Sequence, residues 1–249
     1  DIAKPYLDQA EIGMFLNAKR YLEKNVDLAA QKGLRFIRVG ADAGDGSIAL
    51  DAIRAIKKRG LKAFYSIMKV YLLNIDELLE EAKMLQNEGL DEITMMDSAG
   101  TMLPDQVAHY SYKMANALHI PVGFHGHNNL GLSATNALAA AQNGVEVLDC
   151  GLLGMARSAG NLATEVAATL LQRLGKADNI DLYGLLAFLE RKLIPAMQSY
   201  GYCTSIKPLD LVLGYSGCHS SFVALFRDIA KEKGVNLYKL IAEVSLKNR

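Results

Sequence analysis

One shape recurs along this chain and limits what it can fold into. The segments AAQKGLRFIRV, AIKKRGLKAFYSI, MLQNEGLDEITMM and AAQNGVEVLDC share it. Each ends a helix-like pattern with glycine, continues with Leu or Val, and enters a short β-prone run. The glycines are Gly33, Gly60, Gly89 and Gly144, and the first three are 27 and 29 residues apart. Glycine closes a helix in the left-handed conformation without steric penalty. A helix, a closing glycine and a buried strand at this spacing form the βα unit. A further junction, MANALHIPVGFH, replaces the glycine with His119-Ile120-Pro121.

The periodicity predicts six strands, at Glu11–Leu16, Arg35–Gly40, Lys62–Met68, Glu92–Asp97, Val122–His127 and Val145–Gly151. They are short and mostly apolar, as strands of a parallel sheet covered by helices are. The intervening segments are amphipathic: in Asp76–Gly89, Leu78, Leu79, Ala82 and Leu85 fall at helical spacing among Glu77, Glu80, Glu81 and Lys83. After Gly151 helices dominate, with a break around Tyr200–Leu213 and a glycine-rich turn in GYSGCHSSF. Residues 1–10 read as the end of a preceding helix. Two architectures fit: an open doubly wound sheet, or a (β/α)₈ barrel of which only six strands are in view. No GxGxxG or GxxxxGK[ST] follows the first strand, so neither common nucleotide-binding version is supported.

The chain has 249 residues, 51% of them hydrophobic, enough for one large α/β domain or two small ones. Its 27 basic and 27 acidic residues give no electrostatic case for nucleic acid or an anionic membrane. No apolar run approaches the length of a membrane span. Cys150, Cys203 and Cys218 lack CxxC spacing and read as reduced, structural thiols in a cytoplasmic setting.

Function in parallel α/β folds gathers at the C-terminal ends of strands, and three such ends are polar here. In GFHGHNNLG, strand alternation puts Gly123, His125 and His127 on one face and Val122 and Phe124 on the other. Phe124 and Val122 would face the helices, so both imidazoles would point inward near the catalytic rim, where they suit one cation or serve as strand-end histidines hydrogen-bonded to neighbours. In MMDSAGTMLPDQV, Asp97 ends a strand, Ser98-Ala99-Gly100 form a turn, and Pro104-Asp105 open a helix. The turn amides and the Ser98 hydroxyl suit a carboxylate or phosphate, and equally suit ordinary helix capping. In LDCGLLGMARSAGNLATEV, Asp149 and Cys150 end a strand. Asn161 is either the cap of the next helix or an amide oxygen for a hard cation. Lys69 is the one positional candidate for a Schiff-base lysine. A metal site would leave it a solvent-facing side chain.

Together DSAGTMLPDQV, GFHGHNNLGL and SAGNLATE resemble the DRE-TIM metallolyases. That superfamily includes 3-hydroxy-3-methylglutaryl-CoA lyases, isopropylmalate and homocitrate synthases, and 4-hydroxy-2-oxovalerate aldolases. LVLGYSGCHSSF with FRDIAKEKGVNLYKLIAEVS is similar to the C-terminal helices of the aldolases. The resemblance implies a TIM (β/α)₈ barrel, N-terminally incomplete, with these six strands as its third to eighth. It implies a partial barrel over residues 1–175 and a helical, communication-type region over 176–249. It implies a divalent metal (Mn²⁺ first, Mg²⁺ or Co²⁺ next) held by His125, His127 and Asn161, with Ser98 near the substrate carboxylate. His219 stands where many aldolases have a tyrosine and is the candidate proton carrier.

The implied reaction is cleavage of a 4-hydroxy-2-oxo acid to pyruvate and an aldehyde through a metal-stabilised enolate, as in aromatic hydrocarbon catabolism. The implied partners are the small 2-keto acid, an acylating aldehyde dehydrogenase that takes the aldehyde, and a second copy in a homodimer. The family's first strand carries an Arg-Asp pair that supplies a metal-binding aspartate; no strand of this sequence matches it. The alternatives are an acyl-CoA lyase or synthase of the same superfamily, or a non-catalytic homologue that binds a metal or partner.

Overall fold

The structure is a computed structural model that describes residues 5, 7, 10–156, 159–202, 208, 209, 212, 216, 218 and 222–247. It divides into two compact units. The first comprises residues 1–149 and 158–161, and the second residues 150–157 and 162–249.

The first unit is a six-stranded parallel sheet in strict chain order. Its strands are β1 (Gly13–Asn17), β2 (Phe36–Asp42), β3 (Lys62–Met68), β4 (Glu92–Asp97), β5 (Val122–Gly126) and β6 (Val147–Asp149). The helices between them are α1 (Glu23–Gln31), α2 (Leu50–Lys58), α3 (Ile75–Asn87), α4 (Pro104–Ala117) and α5 (Ser133–Gln142). A doubly wound sheet reverses its strand order at a switch point, and this sheet does not. The consecutive order is that of a barrel.

The repeated glycines do what their sequence context requires. Gly33, Gly60, Gly89 and Gly144 have φ of 74°, 69°, 92° and 94°. The amide after the glycine bonds back into the helix at three of them: Leu34 to the Ala29 carbonyl, Leu61 to Ile56 and Val145 to Ala140. This is the Schellman closure, and the apolar residue after each glycine packs under the helix end. Val145 is used this way, so β6 starts at Val147, two residues later than the sequence pattern predicts. Where glycine is missing, Leu118 ends α4 in an extended conformation and the His119 amide donates to Gln86 Oε1 at 2.7 Å. Helix α3 starts with a capping box, Asn74 Oδ1 accepting from the Glu77 amide and Glu77 Oε2 from the Asn74 amide.

The two faces of the sheet differ in chemistry. Ile37, Val39 and Ala41 of β2, Ala63, Tyr65 and Ile67 of β3, Ile93 and Met95 of β4, and Val122 and Phe124 of β5 pack in the core with the helices. The opposite face carries four ladder rows. Gly13, Phe36 and Lys62 form the lowest; Phe15, Arg38, Phe64 and Glu92 the next; Asn17, Gly40, Ser66, Thr94, Gly123 and Val147 the middle one above it; Asp42, Met68, Met96, His125 and Asp149 the highest. Arg38 of β2 forms an ion pair with Asp149 of β6. Four strand spacings on a flat sheet are roughly 19 Å, whereas an extended arginine side chain reaches only about 7 Å. The sheet therefore curls, with the polar face inside.

The second unit is helical, at Thr164–Arg173, Leu182–Phe188, Ile194–Gln198, Val223–Lys233 and Leu237–Lys247. Its core includes Leu153, Leu186, Leu189, Phe226 and Ile241. Among the described residues no helix is long and apolar enough to cross a membrane.

On the outer face of the sheet, Glu81 of α3 fastens the loop after β2. Its Oε2 accepts from the Gly44 amide at 2.7 Å. Burial raises the Glu81 carboxyl above its ordinary range, opposed by the Gly44 and Gly46 amides. A carboxyl raised in the folded state gives stability that is full below its unfolded pKa of about 4.5 and lost as pH climbs through the folded value. Glu81→Gln keeps an acceptor and removes the charge. Its urea midpoint should equal or exceed that of the parent at pH 7, with the gap narrowing at pH 5. A midpoint clearly below the parent's at pH 7 would count against this assignment.

Candidate metal centre

The upper row of the concave face ends at the sequence motif HGH. His125 sits on β5 opposite Met96 of β4 and Asp149 of β6. His127 lies just past the strand and forms an isolated antiparallel bridge with Asn161. The two imidazole centroids are 5.3 Å apart. His127 is only 6% exposed, and its amide donates to the Asp97 carbonyl at 3.2 Å. The alternation read from the sequence places both rings on one face. The ladder stops one residue earlier than expected because His127 pairs with Asn161 instead of β6.

Asn161 is not a helix cap. The helix begins at Thr164, with Ala163 as N-cap and no side-chain cap. Asn161 Oδ1 is buried and has no hydrogen-bond partner among the described residues. A buried amide oxygen without a donor is costly unless something else satisfies it. Two imidazoles 5.3 Å apart, with Asn161 bridged through its backbone to one of them, form a donor set whose chemistry fits a divalent cation. Among the described residues no group of three or more His, Cys, Asp or Glu side chains forms a cage. The set is thus two imidazoles and one amide, without a carboxylate.

Asp149 stands behind His125. Its Oδ2 lies 3.1 Å from His125 Nδ1. An ionised carboxylate only accepts, so Nδ1 carries the proton and Nε2 keeps its lone pair. Arg38 binds the same Asp149 oxygen through Nη1 and binds Glu92 Oε1 through Nη2 at 2.6 Å. Its guanidinium also lies 5.9 Å from the centroid of Phe64, which stacks on Phe36. Burial pushes the Asp149 carboxyl up, but the hydrogen bond to His125 and the charge of Arg38 outweigh it and leave it below its ordinary range. Burial wins at Glu92, whose carboxyl is raised despite Arg38. Sequence reading noted Asp149 only as the end of a strand and passed over Arg38 and Glu92. The signal lay in RFIRV, where Ile37 and Val39 face the helices and so turn Arg38 inward.

The DSAG turn is built by its own aspartate. Asp97 is fully buried, and its oxygens accept from the Thr101 and Met102 amides at 3.0 Å each. Those amides are therefore committed and do not form an anion site. Ser98 Oγ accepts from the Lys69 amide at 2.9 Å, which leaves its own proton to donate. Lys69 pairs with Asp42 at 2.9 Å, which gives it a structural role in place of the Schiff base considered from sequence. In the neighbouring loop Asn128 Oδ1 accepts from the Ser133 hydroxyl at 2.8 Å and so shapes the start of α5. His219 lies outside the described residues.

Gly100 is where the DSAG turn meets the histidine loop. Its φ is +60°, and a Cβ there would lie 2.6 Å from both the His127 carbonyl oxygen and the Asn129 amide nitrogen. Backbone cannot yield as a flexible side chain can. Gly100→Ala should cost about 1–3 kcal/mol of unfolding free energy and push the His127 backbone outward. Denaturant unfolding and Mn²⁺ titration of the variant should both register the change. Unaltered stability and metal affinity would refute the close packing described.

Residues 45–191 match the family model described as HMGL-like. The 4-hydroxy-2-oxovalerate aldolase of Geobacillus thermodenitrificans is 33% identical over 221 residues, which are 89% of this chain and 64% of that protein. The protein of the same name from Brevibacillus brevis is 32% identical over 236 residues, 95% of this chain and 68% of that one. The chain thus spans about two thirds of the length of the curated relatives it matches. Among solved structures, the hydroxymethylglutaryl-CoA lyase of Pseudomonas aeruginosa superposes with a TM-score of 0.69 at 16% identity, over 83% of this chain and 75% of that one. That likeness establishes the fold. With more than half of the sequence inside the family model and relatives matched along most of its length, the chain belongs to the HMGL-like family.

Proposed function

We propose that this chain carries the metal-binding face of a divalent-metal pyruvate aldolase. The reaction is cleavage of 4-hydroxy-2-oxo acids, such as 4-hydroxy-2-oxovalerate, to pyruvate and an aldehyde. The observation that carries the reading is the close pair of imidazoles of His125 and His127, with Asn161, whose buried oxygen is unsatisfied among the described residues, bridged to His127. The shared name of the relatives supplies the substrate class.

In this reading His125, His127 and Asn161 hold the ion. A bound divalent ion supplies a Lewis acid for the carbonyl and carboxylate oxygens of a 2-oxo acid. Ser98, whose hydroxyl proton is uncommitted by its bond to Lys69, donates to the substrate carboxylate. Cleavage requires a base for the 4-hydroxyl proton as the C3–C4 bond breaks, and a proton returned to C3. His219 is assigned that proton traffic on sequence resemblance. The same resemblance extends the proposal to an acylating aldehyde dehydrogenase that receives the aldehyde. Manganese is the first ion to test, with magnesium and cobalt after it.

The test is pyruvate release from 4-hydroxy-2-oxopentanoate by the complete gene product, stripped of metal and then resupplied with Mn²⁺. Turnover should depend on the added ion. His125→Ala and His127→Ala should each lower it on the order of 100-fold or more, and His219→Ala by at least about 100-fold. Turnover indifferent to both metal and His125→Ala would sink the proposal. The fold shared with hydroxymethylglutaryl-CoA lyase favours a second reading, an acyl-CoA lyase. Cleavage that requires a CoA thioester, with none of the free oxo acid, would select it. Metal binding without turnover of either substrate would mark a non-catalytic homologue.

A further inference from the structure

The concave face holds an ion pair that no step of the proposed reaction uses. Arg38 and Glu92 come from a low ladder row and Asp149 from the highest, yet one guanidinium grips both carboxylates. All three side chains are largely buried, with 16%, 10% and 19% of their surface exposed. Charges buried this far are expensive to keep unless their geometry serves something. Asp149 also reaches His125 Nδ1, so the chain of contacts runs from Glu92 through Arg38 and Asp149 to one imidazole.

We propose that Arg38 and Asp149 are positioning residues for His125. Arg38 fixes the Asp149 carboxylate in place. Asp149 then holds His125 as the Nδ1–H tautomer with its ring plane set, so that Nε2 presents its lone pair toward the space shared with His127. The proposal rests on the reading of His125 as a metal ligand for its consequence, but not for its geometry. A carboxylate behind a metal-binding imidazole raises the basicity of the ring and fixes its orientation. Arg38 touches neither the imidazole nor any metal donor atom named above, so its influence passes through Asp149.

The test uses the full chain with Mn²⁺ alone as the probe. Asp149→Asn is nearly isosteric, but its amide group can donate to Nδ1 and so favour the other tautomer. Arg38→Lys keeps the positive charge yet cannot grip Asp149 and Glu92 with two nitrogens. Circular dichroism establishes that each variant folds, and Arg38→Gln paired with Glu92→Gln replaces Arg38→Lys if it does not. Both changes should weaken Mn²⁺ affinity by about 10- to 100-fold. In metal-free protein, ¹⁵N shifts of His125 should report Nδ1–H in the parent and a mixture or the Nε2–H form in Asp149→Asn. A folded Asp149→Asn protein with unchanged tautomer overturns the proposal, as does Mn²⁺ affinity within twofold of the parent. If the parent binds no Mn²⁺, the metal reading fails, and the tautomer measurement still decides the positioning claim.

Discussion

The contact between Arg38 and Asp149 joins the second and sixth strands across the concave face of the sheet. Everything specific about the site depends on the curl that this contact requires. On a flat sheet the inward residues of β2 and β6 would face solvent separately. Curled, they meet, and the polar side becomes an interior. The ion pair is not a simple source of stability, because desolvating three charges offsets much of their attraction. Its value lies in direction. One guanidinium between two carboxylates ties specific atoms together, where apolar side chains would tolerate sliding.

The site inherits its order from strand parity. The same alternation that sends Val122 and Phe124 into the helical core turns Gly123 and His125 inward. Slipping β5 by one residue would bury His125 among the helices and expose Phe124 to the interior. The rows are also graded. Phe15, Phe36 and Phe64 lie low, small residues such as Gly40, Ser66 and Gly123 occupy the middle, and Asp42, His125 and Asp149 lie at the top. Small middle residues leave room for Arg38 to reach upward. Typical barrel interiors are filled with branched apolar side chains, and the exchange for smaller polar ones marks where the interior is built for ligands instead of packing.

Much of this was legible in the sequence because it is local. The helix–glycine–Leu/Val shape encodes the Schellman closures at Gly33, Gly60 and Gly144, and alternation encodes the facing of His125 and His127. What escaped depends on distant partners. Arg38 meets residues 54 and 111 positions away, and no periodicity reveals which carboxylates it selects. Asn161 suits a cap or a cation equally in sequence; a helix that begins only at Thr164 and a bridge to His127 decide against the cap. The turn after Asp97 suits an anion or ordinary capping in sequence, and no local pattern shows that the Asp97 carboxylate folds forward onto the Thr101 and Met102 amides.

Why Arg38 meets Asp149, and not the residue level with it in the ladder, follows from barrel tilt. Through the registers Arg38 aligns with Phe64, then Glu92, and by extension with Pro121 and Val145. Asp149 is four residues beyond that ladder mate, and β6 is four strands from β2. An eight-stranded barrel with a shear of eight shifts one residue per strand, so residues at one height come from successive strands displaced by one residue each. By that rule Arg38, Thr94 and Asp149 form a single layer drawn from β2, β4 and β6. The six strands therefore already follow the tilt of an eight-stranded barrel. That tilt delivers a low-row arginine to the carboxylate beside His125, and the ladder pairs alone would never bring them together.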